Sequence, residues 1–256
     1  MEDGRWRTSN GDLPPPSILH PPSSSPSNMP NPAPNPELLR SLGRLSRGLS
    51  ALFWGLPATL ILSGRAAEAD WLTPWALVPV LALNGLLLFG LWQMSAFQRQ
   101  ERPWTAALDR AKFMALVNLG LSPFLYWANR VPEQTFFSVA VMILGAAGVL
   151  FLFNLNLVLA RLGAMLPDET LRHETKQFTA LNRILLMTLL LLAATYFCFA
   201  QLPEPPALLH LVTLLMKRFS LVGLVFLLLL PLAMTMALIW KTKEVILESV
   251  FGGGRN

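Results

Sequence analysis

The chain has 256 residues, 53% of them hydrophobic and 14% charged, and carries a formal net charge of +5. A soluble domain holds about 25% charged residues, so the composition excludes an ordinary water-soluble globular protein. One cysteine, Cys198, excludes an intramolecular disulfide and a cysteine-rich metal site. The basic residues lie along the edges of apolar stretches rather than in one patch, so nucleic acid is not an expected partner.

Residues 1–36 read as a disordered cytoplasmic tail. Ten of the 21 prolines fall there, in runs such as "DLPPPS" and "PPSSSPSNMPNPAPNP". Proline removes a backbone donor and fixes φ, and the interspersed Ser and Asn supply no core. No short apolar run follows a basic start, so no cleaved signal peptide is expected.

The next stretch, "PELLRSLGRLSRGLS", places Leu38, Leu42, Leu45 and Leu49 on one face at 100° per residue. Arg40, Arg44 and Arg47 lie opposite. Residues 37–48 are therefore expected to form a basic amphipathic helix on an anionic membrane surface, with the arginines as candidate lipid-headgroup contacts. The alternative is a plain cytoplasmic extension of the first span.

Six apolar spans follow, over 49–64, 73–97, 112–128, 135–160, 178–200 and 219–240. A bilayer core of about 30 Å needs about twenty helical residues, and lipid requires the backbone to pair internally. The expected fold is all-α: a polytopic membrane helix bundle over 49–240, built as three hairpins. A short cytoplasmic segment, 241–256, ends the chain. Pro231 predicts a kink in the last span. Segment 206–218 is too short to cross alone and is expected on the surface, since inserting Lys217 and Arg218 would cost roughly 2.5–3.5 kcal/mol each.

Charge sets the expected orientation. Arg40, Arg44, Arg47, Arg99, Arg102, Arg110, Lys112, Arg161, Arg172, Lys176, Arg183, Lys241 and Lys243 flank one side, against Arg65, Arg130, Lys217 and Arg218 on the other. Both termini are then cytoplasmic, in a cytoplasmic (inner) membrane. Trp71, Trp75, Tyr126 and Trp127 belong at the outer interface, Trp104 and Trp240 at the inner one. A weak internal repeat accompanies the hairpins: Phe89, Pro103, Lys112 and Asn118 recur 64 residues later as Phe153, Pro167, Lys176 and Asn182.

Four amides share one depth. Asn118 and Asn182 lie about 9 Å inside Lys112 and Lys176, and Asn154 and Asn156 about 7–11 Å inside Arg161, at 1.5 Å per residue. A buried amide needs a partner, so these residues form a candidate intramembrane polar layer, either as interhelical glue or as a vestibule for a substrate. Gly145 and Gly148 are expected to let another helix approach closely. Arg183 is expected to snorkel to the inner surface, with an anionic lipid headgroup as its candidate ligand.

Catalytic signals are sparse. All 15 acids lie outside the spans, which argues against ion-coupled pumps that use a buried carboxylate. His20, His173 and His210 supply no haem pair. "HETKQ" has Gln177 where the zinc motif H-E-x-x-H needs its second histidine. In the loop "PDETLRHETK", Asp168 suits an N-cap and Glu169 the first turn, and Asp168, Glu169, Arg172 and His173 form a candidate partner-docking surface. "FGGGRN" is not a phosphate loop. No catalytic, cofactor or metal residues are assigned, and no cofactor is expected. The partners expected are membrane lipids and other membrane protein subunits. The expected role is a non-enzymatic scaffold, assembly or accessory subunit. The alternative is a small-molecule or ion facilitator using the asparagine layer, and a third reading is a lipid-acting membrane enzyme.

Overall fold

The computed structural model describes residues 36–68, 75, 77–98, 100–131, 133–165, 169–200 and 207–251, with the side chains of 207–225 outside the description. The proline-rich tail up to residue 35 and the last residues, 252–256, also lie outside it. Among the described residues every regular element is a helix: α1 (Pro36–Glu68), α2 (Leu77–Met94), α3 (Arg102–Arg130), α4 (Thr135–Met165), α5 (Glu169–Ala200) and α6 (Ala207–Phe251).

Five helices contain stretches long and apolar enough to cross a membrane: Leu39–Arg65, Leu77–Met94, Thr135–Met165, Arg172–Thr195 and Phe226–Glu248. The third expected span is the exception. It lies in α3, whose first turns carry Arg102, Asp109, Arg110 and Lys112 and whose later turns carry Asn118, Ser122, Pro123 and Asn129. These residues lower its mean hydropathy, yet α3 is well packed. Trp104, Ala107, Leu108, Ala111, Ala115, Asn118 and Ser122 are all buried, a stripe at helical spacing that faces its neighbours.

Each helix packs against its chain neighbours, and α6 returns to α1 to close a ring. Two further pairings, α1 with α3 and α4 with α6, divide the ring into a first half (α1–α3) and a second half (α4–α6). The halves meet along α3–α4 and α1–α6. Phe53 on α1 meets Trp240 on α6 at a ring separation of 5.7 Å.

The tightest crossing joins α1 to α2. A Cβ placed on Gly48 would stand 2.6 Å from the Gly90 carbonyl oxygen, and one on Gly90 would stand 3.0 Å from the Gly48 oxygen. Only glycine at both positions lets these backbones come so close. Through the crossing, Leu45, Leu49, Leu52 and Leu56 run as one buried stripe of α1.

That stripe bears on the expected surface helix. α1 is unbroken from Pro36 to Glu68, so 37–48 continues the first span. Leu45 and Leu49 face the bundle, Leu42 packs against its core and the Leu38 side chain is outside the description, while Arg40, Arg44 and Arg47 are exposed. Likewise 206–218 is largely the start of α6, whose 45 residues extend about 67 Å at 1.5 Å per residue.

Outward faces are apolar on all six helices. Trp54, Trp92, Phe113, Ile143, Leu191 and Phe226 are exposed, one from each. Soluble monomers do not surround themselves with such side chains. Trp75, Trp127 and Trp240 are exposed, as interfacial residues would be. Trp104, expected beside them, is instead fully buried. Its indole Nε1 donates to the Phe97 carbonyl at 3.1 Å, and Phe97 meets its ring edge-on. It closes the α2–α3 turn, where Gln98 takes a φ of 39°.

Candidate functional site

The four asparagines divide into three environments. Asn156 on α4 and Asn182 on α5 both donate from Nδ2 to the Thr235 hydroxyl on α6, each at 3.0 Å. Thr235 in turn donates to the Pro231 carbonyl at 2.7 Å. A hydroxyl has one hydrogen and two lone pairs, so Thr235 is saturated. Asn156 gives its other hydrogen to the Leu152 carbonyl, and Asn182 a longer bond to the Pro231 carbonyl. This network locks the second half together around the proline of α6. The Asn182 Oδ1, with the Thr175 and Thr179 hydroxyls on the same helix, is buried without a partner.

Asn154 stands apart. It is half-buried, and its Nδ2 donates to the Leu150 carbonyl of its own helix at 2.8 Å. Two residues separate its face from that of Asn156, which places it on another side of α4.

Asn118 faces a cavity of about 320 Å³ between the two halves of the ring. α1 contributes Leu56, Thr59, Leu60 and Ser63 to its wall, one face at helical spacing. α2 adds Asn84 and Leu87, α3 adds Asn118, Ser122 and Leu125, and α6 adds Leu228 and Leu232. The longest wall is α4, from Val141 to Leu152, including Gly145 and Gly148. Nothing lies within 4 Å of a Cβ built on either glycine. The expected close helix approach at Gly145 and Gly148 is therefore corrected: their missing side chains leave space, and the close approach occurs at Gly48 and Gly90.

Asn118 is 7% exposed and its Oδ1 has no hydrogen-bond partner. Three other polar groups of the wall are tied locally. Thr59 donates to the Gly55 carbonyl at 2.7 Å, Ser122 to the Leu119 carbonyl at 2.8 Å, and Asn84 to the Val80 carbonyl at 3.0 Å. Among the described residues, no Asp, Glu, Lys, Arg or His lines the space.

The charged hairpin between α4 and α5 is partly engaged within the chain. Arg172 donates from Nη2 to the Ala164 carbonyl at 2.9 Å, satisfying a carbonyl in the last turn of α4. Thr175 packs against Gly163, 3.1 Å from where a Cβ would stand. His173 is exposed, and its Nε2 lies 3.0 Å from the Gln177 amide nitrogen. Asp168 and the Glu169 side chain lie outside the described residues. Arg183 is exposed, with its guanidinium 5.7 Å from the Phe153 ring centre. Glu174 and Lys241 form an ion pair between α5 and α6. Among the described residues no group of three His, Cys, Asp or Glu could hold a metal ion.

Fold and site together define a helical bundle with five apolar helices of membrane-crossing length and a pocket whose described lining residues carry no charge. Comparison with protein-family models, with curated proteins and with solved structures gives no match. Sequence reasoning missed Thr235, Asn84 and Ser122. Thr235 follows Pro231 by four residues, a legible signal, because a hydroxyl there can reach back to the proline's carbonyl. Asn84 was legible as an amide inside the second span.

Proposed function

We propose that the chain is a non-enzymatic integral membrane protein that binds, and facilitates passage of, a small lipophilic molecule held in the cavity between its halves. It crosses the bilayer six times as three hairpins, with α3 as the least apolar crossing and both termini cytoplasmic. Support for the crossings comes from the apolar outward faces of all six helices and from α3 packing between α2 and α4. Support for the orientation comes from the basic residues at one set of helix ends, among them Arg40, Arg44, Arg161, Lys176, Lys241 and Lys243.

One observation carries the reading. A space of about 320 Å³ with a mostly apolar wall lies among α1, α2, α3, α4 and α6, and Asn84, Asn118, Thr59, Ser63 and Ser122 bring polar side chains to that wall. A scaffold or accessory role, the first expectation, rests on the cytoplasmic loops, among them the α4–α5 hairpin, and on the tail, which lies outside the described residues. Arg172 in that hairpin is occupied by the Ala164 carbonyl, so the cavity is the stronger basis.

The test is photolabelling in proteoliposomes with an apolar trifluoromethyl-phenyl-diazirine, with adducts mapped by mass spectrometry. Adducts on cavity residues such as Leu56, Thr59 and Leu152 are expected alongside those on lipid-facing Ile143 and Leu191. Gly148→Phe should abolish the first set and spare the second. Labelling confined to lipid-facing residues in the native protein would refute a ligand chamber.

A further inference from the structure

We infer that the groove between α4 and α5, on the outward side of the bundle, binds the phosphate headgroup of an anionic phospholipid through Arg161, Lys176 and Arg183. The site rests on α4 and α5 crossing the bilayer and is independent of the cavity.

Three contacts fix how the two helices pass each other. Arg172 reaches the Ala164 carbonyl, Thr175 packs against Gly163, and the Arg183 guanidinium lies 5.7 Å from the Phe153 ring centre. These contacts step evenly along an antiparallel pair. The same register sets Arg161 opposite Lys176, and Leu150 opposite Met187. Arg172, Lys176 and Arg183 follow one another at i, i+4 and i+11, which is one face of α5. Both outer members of that set touch α4, so Lys176 between them borders the same groove. Arg161, Lys176 and Arg183 are all exposed.

Charge identifies the occupant. The ion pairs among the described residues are Lys112–Asp109 and Lys241–Glu174, and neither involves a cation of this groove. Glu174, on the same stretch of α5, is turned to α6 instead. Arg183 stands seven residues deeper than Lys176, about 10 Å at 1.5 Å per residue, on a side turned to acyl chains. A guanidinium so placed is costly without an anion, and its planar fork matches phosphate oxygens. The face of the Phe153 ring holds it in position. Further along the groove Met187 is exposed and Leu150 half-buried, an apolar floor for acyl chains. Head and chains of one amphiphile thus meet matching chemistry. A zwitterionic lipid brings a cation of its own to three uncompensated positive charges, so a net negative headgroup is selected.

The experiment is native mass spectrometry of the full chain released from dodecyl maltoside micelles, titrated with dioleoyl-phosphatidylglycerol or dioleoyl-phosphatidylcholine. Each basic residue beside a lipid phosphate is worth about fivefold in affinity. Phosphatidylglycerol should therefore bind first about tenfold or more tighter than phosphatidylcholine, and Arg183→Gln should cut that preference about fivefold. Combining Arg161→Gln, Lys176→Gln and Arg183→Gln should abolish it, while Arg40→Gln, Arg44→Gln and Arg47→Gln together on α1 leave it intact. Lys176→Gln alone should repeat the fivefold loss if the groove triple variant fails to fold. Equal binding of the two lipids by the native chain overturns the site. So does loss of the preference in the α1 triple variant with retention in the groove variants. Suppression of phosphatidylglycerol binding by millimolar inorganic phosphate overturns the lipid assignment, because the groove would then hold a free anion. Binding of neither lipid would remove the membrane reading together with this site.

Discussion

Thr235→Val is the sharpest probe of how the second half is held. Valine keeps the branched shape and removes the oxygen. The Asn156 and Asn182 amides then each lose a bond of 3.0 Å, in a place where Asn156 is 3% and Asn182 0% exposed. Asn156 retains its bond to Leu152 and Asn182 its longer one to Pro231, so two N–H groups are orphaned and no charge is. Hydrogen bonds between helices in membranes average about 0.6 kcal/mol and reach about 1.7, so the loss should be about 1–3 kcal/mol. The assay is reversible unfolding in mixed dodecyl maltoside–SDS micelles, followed by circular dichroism. A double-mutant cycle with Asn156→Leu isolates one bond and should return a coupling of about 0.6–1.7 kcal/mol. Additivity of the two substitutions within about 0.3 kcal/mol would show that the hydroxyl does not join the helices.

The glycines should divide in the same assay. Gly48→Ala sets a Cβ 2.6 Å from a backbone oxygen and 2.8 Å from Met94 Cγ, and should cost about 1–3 kcal/mol as overpacking. Gly148→Ala projects into open space and should leave stability unchanged or raise it by up to about 1 kcal/mol through helix propensity. Asn118→Leu removes an unpartnered oxygen, so unfolding should shift by no more than about 0.5 kcal/mol or become harder, whereas a loss above about 1 kcal/mol would mean the amide is paired. Lys241→Ala breaks an ion pair whose side chains are 42% and 40% exposed. Its cost should stay below about 1 kcal/mol and shrink further in 0.5 M salt.

The architecture was legible because bilayer thickness acts directly on composition. Apolar runs, charged hairpins and the polar tail all mark their own positions along the chain. α3 is the exception, because its place in the bundle depends on burial of one face, from Trp104 to Ser122, rather than on oiliness. The asparagines themselves stand out in the sequence as amides within apolar stretches, and their azimuth does not. Asn154 and Asn156 differ by two residues, enough to send one toward Thr235 and the other to the edge of α4. The roles of the glycines depended on which helices are neighbours, which no single helix encodes: Gly48 meets Gly90 across a contact, while Gly145 and Gly148 meet space. Trp104 resembled an interfacial belt residue in sequence, and only the α2–α3 turn reveals the Phe97 carbonyl that its indole satisfies.

The proposed hairpin topology, with residues 100 and 173 on one side and residue 133 on the other, requires α3 to cross the bilayer. In a Cys198→Ala background, Gln100→Cys, Glu133→Cys and His173→Cys can be treated in turn with a membrane-impermeant maleimide on intact cells. The predicted result is labelling at position 133 alone, with positions 100 and 173 reacting only after permeabilisation. Labelling of 100 and 133 from the same side would contradict the account.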